Sequence, residues 1–301
     1  MQGKKELRNR IKSVTGTEKI VKAMELVASS RIRKAQARIF EARPYMQKLQ
    51  DFIFELSSYP AAIENPLIKE HDHFKSILII GLTADRGLCG GYNSSVIKLI
   101  TSEVKKYEDM GKNVKLIMIG TKGKNYFRYI ARDLEKVYEN LSDYPKFLDA
   151  REIANDFISL YLKKDVDKVK IVYTIFKNIA EQSALSQQIL PVPVFGLKED
   201  MESEKEERQN ALKMFDIIFE PSSAVVLNSL VYEYVYTKMY YVLLEATASE
   251  TGARMTAMRS ATDSAGDMIR DFTRKYHRAR QQQITIEISE IASGAEALNV
   301  P

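Results

Sequence analysis

The sequence predicts an α/β fold joined to a long coiled coil: an antiparallel pair of helices from the two ends of the chain, with a Rossmann-like α/β domain inserted between them. Three features carry this expectation. From Ser222 to Leu298 no proline interrupts a run dense in Ala, Leu, Met, Glu and Arg, residues that a long helix tolerates. Residues 4–58 hold a second apolar ladder at helical spacing. Between them, short apolar runs alternate with stretches of helical spacing, the pattern of a mainly parallel sheet covered on both faces.

The N-terminal ladder runs through Leu7, Ile11, Val14, Val21, Ala28, Ile32, Ala35, Ile39, Ala42, Met46, Leu49, Ile53 and Leu56, in steps of three and four, with Glu18 and Glu25 as its misses. A stripe of this length marks a coiled-coil face. Gly16 softens the helix and Pro44 kinks it, because proline removes a backbone hydrogen bond and crowds the preceding turn. Residues 59–74, with Pro60 and Pro66, form a connection.

Within the inserted domain the expected strands are Ser76–Thr83, Val114–Gly120, a weak one near Val137, Val169–Ile175 and a terminal one over Gln188–Phe195. The expected helices are 93–110, 122–130 and 147–163. Residues 198–210, dense in acids and bases, read as solvated linker. The resulting division is a first helix over 1–58, an α/β domain over 75–197, a charged linker over 198–221 and a second long helix over 222–301.

That last helix starts after Pro221, where Ser222 and Ser223 can satisfy free backbone N–H groups. Its seam is Met255, Met258, Thr262, Ala265, Ile269, Phe272, Tyr276 and Ala279. Past Tyr276 the stripe shifts to Ile284, Ile288, Ile291, Ala295 and Leu298, so the supercoil relaxes there. At 1.5 Å per residue the helix spans roughly 115 Å, wider than any domain this chain can build. It therefore outruns its partner by roughly 20 residues, a tip of about 30 Å.

Composition narrows the function. Of 301 residues, 45% are apolar, enough for a real core. No apolar run is long enough to span a membrane, and the N-terminus reads as neither a secretory signal nor a transit peptide. Cys89 is the only cysteine, which fits a reducing compartment such as a prokaryotic cytoplasm. Net charge is +5, but residues 1–43 carry 12 Lys/Arg against 4 Glu, and 254–280 carry 7 Arg/Lys against 3 Asp. Both basic stretches lie on the predicted long helices and should be attracted to an acidic protein surface, nucleic acid or anionic lipid.

Chemistry is sparse. The loop Gly81–Ser95 follows the first strand and precedes a helix, where phosphate could bind, but it matches neither nucleotide fingerprint; a tight turn using glycine is the plainer reading. Cys89 has no local base, and His71 and His73 read as solvated loop residues. His277 belongs to the basic face made by Arg274, Lys275, Arg278 and Arg280. No cofactor or metal is expected, and no catalysis by this chain alone. A basic coiled coil binding nucleic acid is the alternative, though its basic residues are interleaved with Ala, Ser and Met, not stacking aromatics.

The segments IKSVTGTEKIVKAMELVASSRIRKAQ, TADRGLCGGYNS, LLEATASETGARMTAMRSATDSAGDMI and RARQQQITIEISEIASGAEAL together resemble the gamma subunit family of F-type ATP synthases, in the right order and over nearly the whole chain. The resemblance implies a rotor in the central stalk. Its coil turns inside the alpha/beta hexamer, and its α/β foot rests with the epsilon subunit on the membrane c ring; any link to delta is indirect. Such a protein is peripheral, on the cytoplasmic face of a bacterial membrane, and the nucleotide chemistry belongs to beta. No long cysteine-bearing insertion of the chloroplast kind is present.

By the same resemblance, Met24 matches the methionine that faces an acidic loop of beta, with Arg33 and Lys34 adding positive charge nearby. Arg280 and Gln281 match the pair that engages a beta catch loop, and Arg254 and Thr285 match positions that couple shaft to head. Phe219 and Glu220 match the pair beside the polar loops of the ring, although Ile217 and Phe219 stand where tyrosines are common. The apolar tip around Ile284 and Ile288 implies a low-friction bearing.

Overall fold

The strand Ser76–Leu82 (β1) is buried at every position and forms the centre of a five-stranded sheet. It pairs in parallel with Asn113–Ile119 (β2) on one side and with Lys168–Phe176 (β4) on the other. Beyond β2 lies the short strand Lys136–Tyr138 (β3), also parallel. The order is β3-β2-β1-β4-β5, with the last strand, Gln182–Leu190 (β5), antiparallel to β4. The helices are Lys4–Leu56 (α1), Tyr92–Asp109 (α2), Thr121–Tyr129 (α3), Phe147–Leu162 (α4) and Ser223–Leu298 (α5). This computed structural model describes residues 3–56, 65–141, 143–179, 181–193, 220 and 222–298.

The chain divides into two compact units, one made of residues 31–253 and the other of 1–30 with 254–301. In the larger unit the alternation of β1 assigns its two faces. Ile77 and Ile79 pack with Val96, Ile100 and Val104 of α2 and Phe127 of α3. Leu78, Ile80 and Leu82 face the opposite way, onto Met46, Leu49 and Ile53 of α1, Phe157 and Tyr161 of α4, and Val231, Val235, Met239 and Val242 of α5. Burying each such side chain is worth about 1.5–3 kcal/mol, so this second face, with the larger cluster, dominates the core. Over 242–252 every residue of α5 is buried, which explains why that stretch shows no polar stripe.

The expected strands and helices fall where the sequence placed them, with one correction. The last strand among the described residues is Gln182–Leu190, where the sequence predicts 188–195; residues 191–193 are not strand, and 194–195 lie outside the described residues. The chain reverses directly after β4, where the Glu181 amide donates to Asn178 Oδ1 at 2.7 Å. The returning edge strand is rich in Gln and Ser, so a search for an apolar run passes over it. Pro44 lies inside α1, and the helix runs on past it to Leu56. Of the expected linker 198–221, only Glu220 belongs to the described residues.

Two local devices hold the sheet to its neighbours. Asp167 accepts the Lys75 and Ser76 amides at 2.8 Å, the Ser76 hydroxyl at 3.2 Å and His71 Nδ1 at 2.9 Å, and His71 stacks on Tyr161. Burial opposes its ionisation, but the bonds from His71, Lys75 and Ser76 outweigh it and hold its carboxyl below the ordinary 3.8. Gly120 has φ +97°, and a Cβ there would stand 2.0 Å from the Thr83 carbonyl oxygen.

Gly120→Ala is therefore expected to lower the stability of the α/β unit by roughly 2–4 kcal/mol, read from urea unfolding of the full chain. Asp167 carries a pH signature. Its contribution is complete above the unfolded value of 3.8 and is lost as pH falls through the lower folded value. The gap in unfolding midpoint between the native chain and Asp167→Asn should be wide at neutral pH and should narrow below that value; a gap independent of pH would contradict the assignment.

Candidate functional site

In the smaller unit the two helices pair head to tail. Arg10 stacks over Phe272, with 6.0 Å between guanidinium and ring centre, and Gly266 lies 3.8 Å from Glu18 Oε1 when given a Cβ. Partners thus fall as the other helix rises, which defines an antiparallel coil. Leu7, Ala28, Met258 and Ala265 are its buried residues, and the rest of the predicted C-terminal seam from Met255 to Ala279 is half-buried. Glu18 and Glu25, the misses in the ladder, are also half-buried on that face.

The outward face is unexpectedly apolar. Ile20 is 64% exposed, Leu26 62% and Val27 55%. None belongs to the ladder, and that is the signal by which the sequence could have revealed them: apolar residues off the seam of a two-helix coil have no packing role within it. Met24 sits beside them, half-buried. From Arg280 to Ala295 every residue is exposed, Ile284, Ile288 and Ile291 included. Arg280, Gln281 and Thr285 share this exposed stretch, and the Thr285 hydroxyl donates to the Gln281 carbonyl at 3.0 Å. Arg254 is half-buried on α5.

In the larger unit Arg33 and Lys34 are exposed on α1, and Glu220 is exposed shortly before α5. Phe219 lies outside the described residues. Among the described residues, Met24, Arg33, Arg254, Arg280, Gln281 and Thr285 lie at intervals along the two long helices, and Glu220 precedes the second.

The loop after β1 has a different job from phosphate binding. The first-turn amides of α3 point toward it, but each has a protein partner: Thr121 N donates to Asp85 Oδ1 at 3.0 Å, Lys122 N to the Ala84 carbonyl at 3.1 Å and Gly123 N to Thr83 Oγ1 at 2.9 Å. Asp85 thus supplies the negative charge that a bound anion would bring to a helix N-terminus. Nearby, Glu139 is held below the ordinary carboxylate range by its bond to Lys124, reinforced by Thr121. Cys89 is buried and accepts from Asn93 Nδ2 at 3.1 Å.

The loop instead holds α5. Ala84, Cys89 and Tyr92 cluster with Ala253, and the Tyr92 hydroxyl donates to the Ala246 carbonyl at 3.3 Å. Ser249 donates to the Thr174 carbonyl at 3.0 Å, at the end of β4. A Cβ on Gly252 would stand 2.9 Å from Gln182 Nε2 and 3.6 Å from the Phe176 ring, so the helix backbone approaches the sheet closely.

A two-helix coil carrying an inserted α/β domain, with apolar and basic residues on its outer faces, is the class these observations define. The family model described as ATP synthase matches residues 3–298. The chain is 39% identical to the ATP synthase gamma chain of Chloroherpeton thalassium over 98% of this chain and 97% of that one. It is 38% identical to the gamma chain of Heliobacterium modesticaldum, over 99% and 100%. Among solved structures it resembles the Tetrahymena thermophila mitochondrial ATP synthase central stalk and c ring, at TM-score 0.59 and 27% identity over 80% of this chain and 99% of that one. A chain of the Euglena gracilis mitochondrial ATP synthase, at TM-score 0.68 and 14% identity over 99% and 96%, shares the fold. The protein belongs to the ATP synthase gamma chain family.

With the α3 amides already partnered, equilibrium dialysis of the full chain against labelled ATP should give uptake that does not saturate. Stoichiometric, saturable uptake would show that the loop opens to free those donors.

Proposed function

We propose that this chain is the central-stalk rotor of a proton-translocating ATP synthase, carrying rotation of a membrane c ring to the catalytic alpha/beta hexamer. The observation that carries the reading is the antiparallel coil with exposed isoleucines off its seam and along its C-terminal end. Membership of the gamma chain family supplies the context, and no observation favours the nucleic-acid alternative. The working parts are the helix of 1–58, the foot of 75–197, the linker of 198–221 and the helix of 222–301.

Among the described residues no helix is long and apolar enough to cross a membrane. The chain acts as a peripheral, non-catalytic subunit on the cytoplasmic side of a bacterial membrane, meeting the epsilon subunit and the ring through its foot. Phe219 and Glu220 meet the polar loops of the ring. Met24, Arg33, Arg254, Arg280, Gln281 and Thr285 meet the catalytic head.

The physics of such a rotor separates two kinds of contact. A shaft biases a catalytic site only through the difference in contact free energy between its orientations. Arginine to carboxylate is directional and suited to a stepwise catch, the role given to Arg280 with Gln281. Isoleucine contacts are individually weak and non-directional, so the exposed side chains at 284, 288 and 291 let the end of the helix turn in a sleeve without deep angular traps. Met24, unbranched and uncharged, slides past an acidic loop on which lysine would catch.

Reconstitution of this chain with alpha, beta, epsilon and the membrane sector should restore ATP-driven proton pumping. Complexes that hydrolyse ATP but pump no protons with the native chain would refute the rotor reading. Met24→Lys should lower protons pumped per ATP by roughly three- to tenfold, through a new ion pair worth about 1 kcal/mol, while hydrolysis changes less than twofold.

A further inference from the structure

The side chain of Arg38, on α1, joins three elements of the larger unit. Its Nη2 donates to the Pro145 carbonyl at 2.5 Å and to the Tyr240 hydroxyl of α5 at 3.1 Å. Its guanidinium lies 4.0 Å over the centre of the Tyr144 ring. Tyr240 in turn meets Phe147, the first residue of α4, edge to face at 5.7 Å. Seven residues earlier, on the same face of α1, Arg31 bonds Asp143 at 2.7 Å, and Asp143 also pairs with Arg86 of the loop after β1 at 3.4 Å. Residues 143–145, just ahead of α4, therefore lie as a strap along α1, fixed by two arginines two turns apart.

These contacts differ in kind from the rest of the helix packing. Apolar side chains on α1 and α5 resist separation, but they oppose sliding and twisting only weakly, because dispersion has no preferred direction. A guanidinium held by a carbonyl, a hydroxyl and an aromatic face resists displacement along each of those directions. The outer pair, Arg31 with Asp143, is exposed and contributes about 0–1 kcal/mol, so Arg38, half-buried, carries the grip. Its location matters too. Ser30 is the last residue of α1 assigned to the coil unit and Arg31 the first assigned to the α/β unit, so the strap holds the turns of α1 nearest that division.

We propose that Arg38 is the positioning residue through which the α/β unit grips its N-terminal helix, so that foot and helix turn together. This rests on the rotor reading above.

The test compares protons pumped per ATP in the reconstituted membrane complex with ATP hydrolysis by the head detached from its ring. Arg38→Met keeps length but loses charge, plane and donors. It should lower the pumping ratio by about three- to tenfold and leave detached hydrolysis within about twofold, since the lost contacts lie in the foot. Tyr144→Phe, which keeps the stacked ring, should behave as the native chain, and Tyr144→Ala should lower the ratio. Normal pumping by both Arg38→Met and Tyr144→Ala would overturn the proposal. So would equal losses of pumping and detached hydrolysis, which would give Arg38 a folding role alone. If Arg38→Met fails to assemble, Arg38→Lys decides: it keeps the charge but loses the planar fork of donors, and undiminished pumping by it overturns the grip. Failure of the native chain to pump would instead refute the rotor reading itself.

Discussion

One unbroken helix, Ser223–Leu298, has to be both core and shaft. Its backbone hydrogen bonds are the constraint on which the rest depends. Starting a helix in water is unfavourable, and in proteins most helical stability comes from packing against other elements. Here that packing is densest in the turns through 242–252, which are buried against the sheet, the first long helix and the loop after β1. Once those turns are fixed, each further residue adds one backbone bond for the one residue it orders. The exposed end from Arg280 onward can then dispense with a packing partner and place isoleucines outward.

The two units divide the mechanical work by the chemistry of their contacts. In the coil the seam is built from small and apolar residues, Ala28, Met258 and Ala265 among them. In the α/β unit the same two helices are held by directional groups: Arg38 to Pro145 and Tyr240, Tyr92 to the Ala246 carbonyl, Ser249 to the Thr174 carbonyl. Glu245 adds to this pattern from the inside of α5. Burial raises its carboxyl above the ordinary range, while Lys238, the hydroxyls of Tyr173 and Tyr241, and Arg43 of α1 pull it back. Buried polar groups of this sort contribute more to a unique geometry than to net stability.

The periodic part of this design was legible in the sequence. Both long helices, their seam residues and the central strands follow from spacing alone, because burial on one face forces the pattern. The edge strand Gln182–Leu190 was not, since most of its residues are Gln and Ser without an apolar run and it owes its place to pairing with β4. The outward residues Ile20, Leu26 and Val27 were legible only by exclusion, as apolar side chains that the ladder leaves over. Arg38 was invisible: its partners lie 107 and 202 residues away, and nothing local distinguishes it from its basic neighbours.

The most instructive misfit is the glycine-rich loop, which resembles a ligand site by position. In a parallel sheet of order 3-2-1-4, helices change sides between the strands ordered 1 and 4, and ligands bind in the crevice beyond the carboxyl ends of those two strands. In this protein that crevice is filled from within. Ser249 and Gly252 of α5 lie at the end of β4, and Ala253 packs on Ala84 and Cys89 at the end of β1. Asp85 meanwhile takes the anion position at the start of α3. The features that hold a phosphate in other proteins, close backbone approach through glycine and helix amides in need of a negative partner, here hold a helix. A fold that commonly presents a substrate to chemistry has been turned into a socket for a shaft, and the loss of a free binding crevice follows from the same contacts that keep the shaft in place.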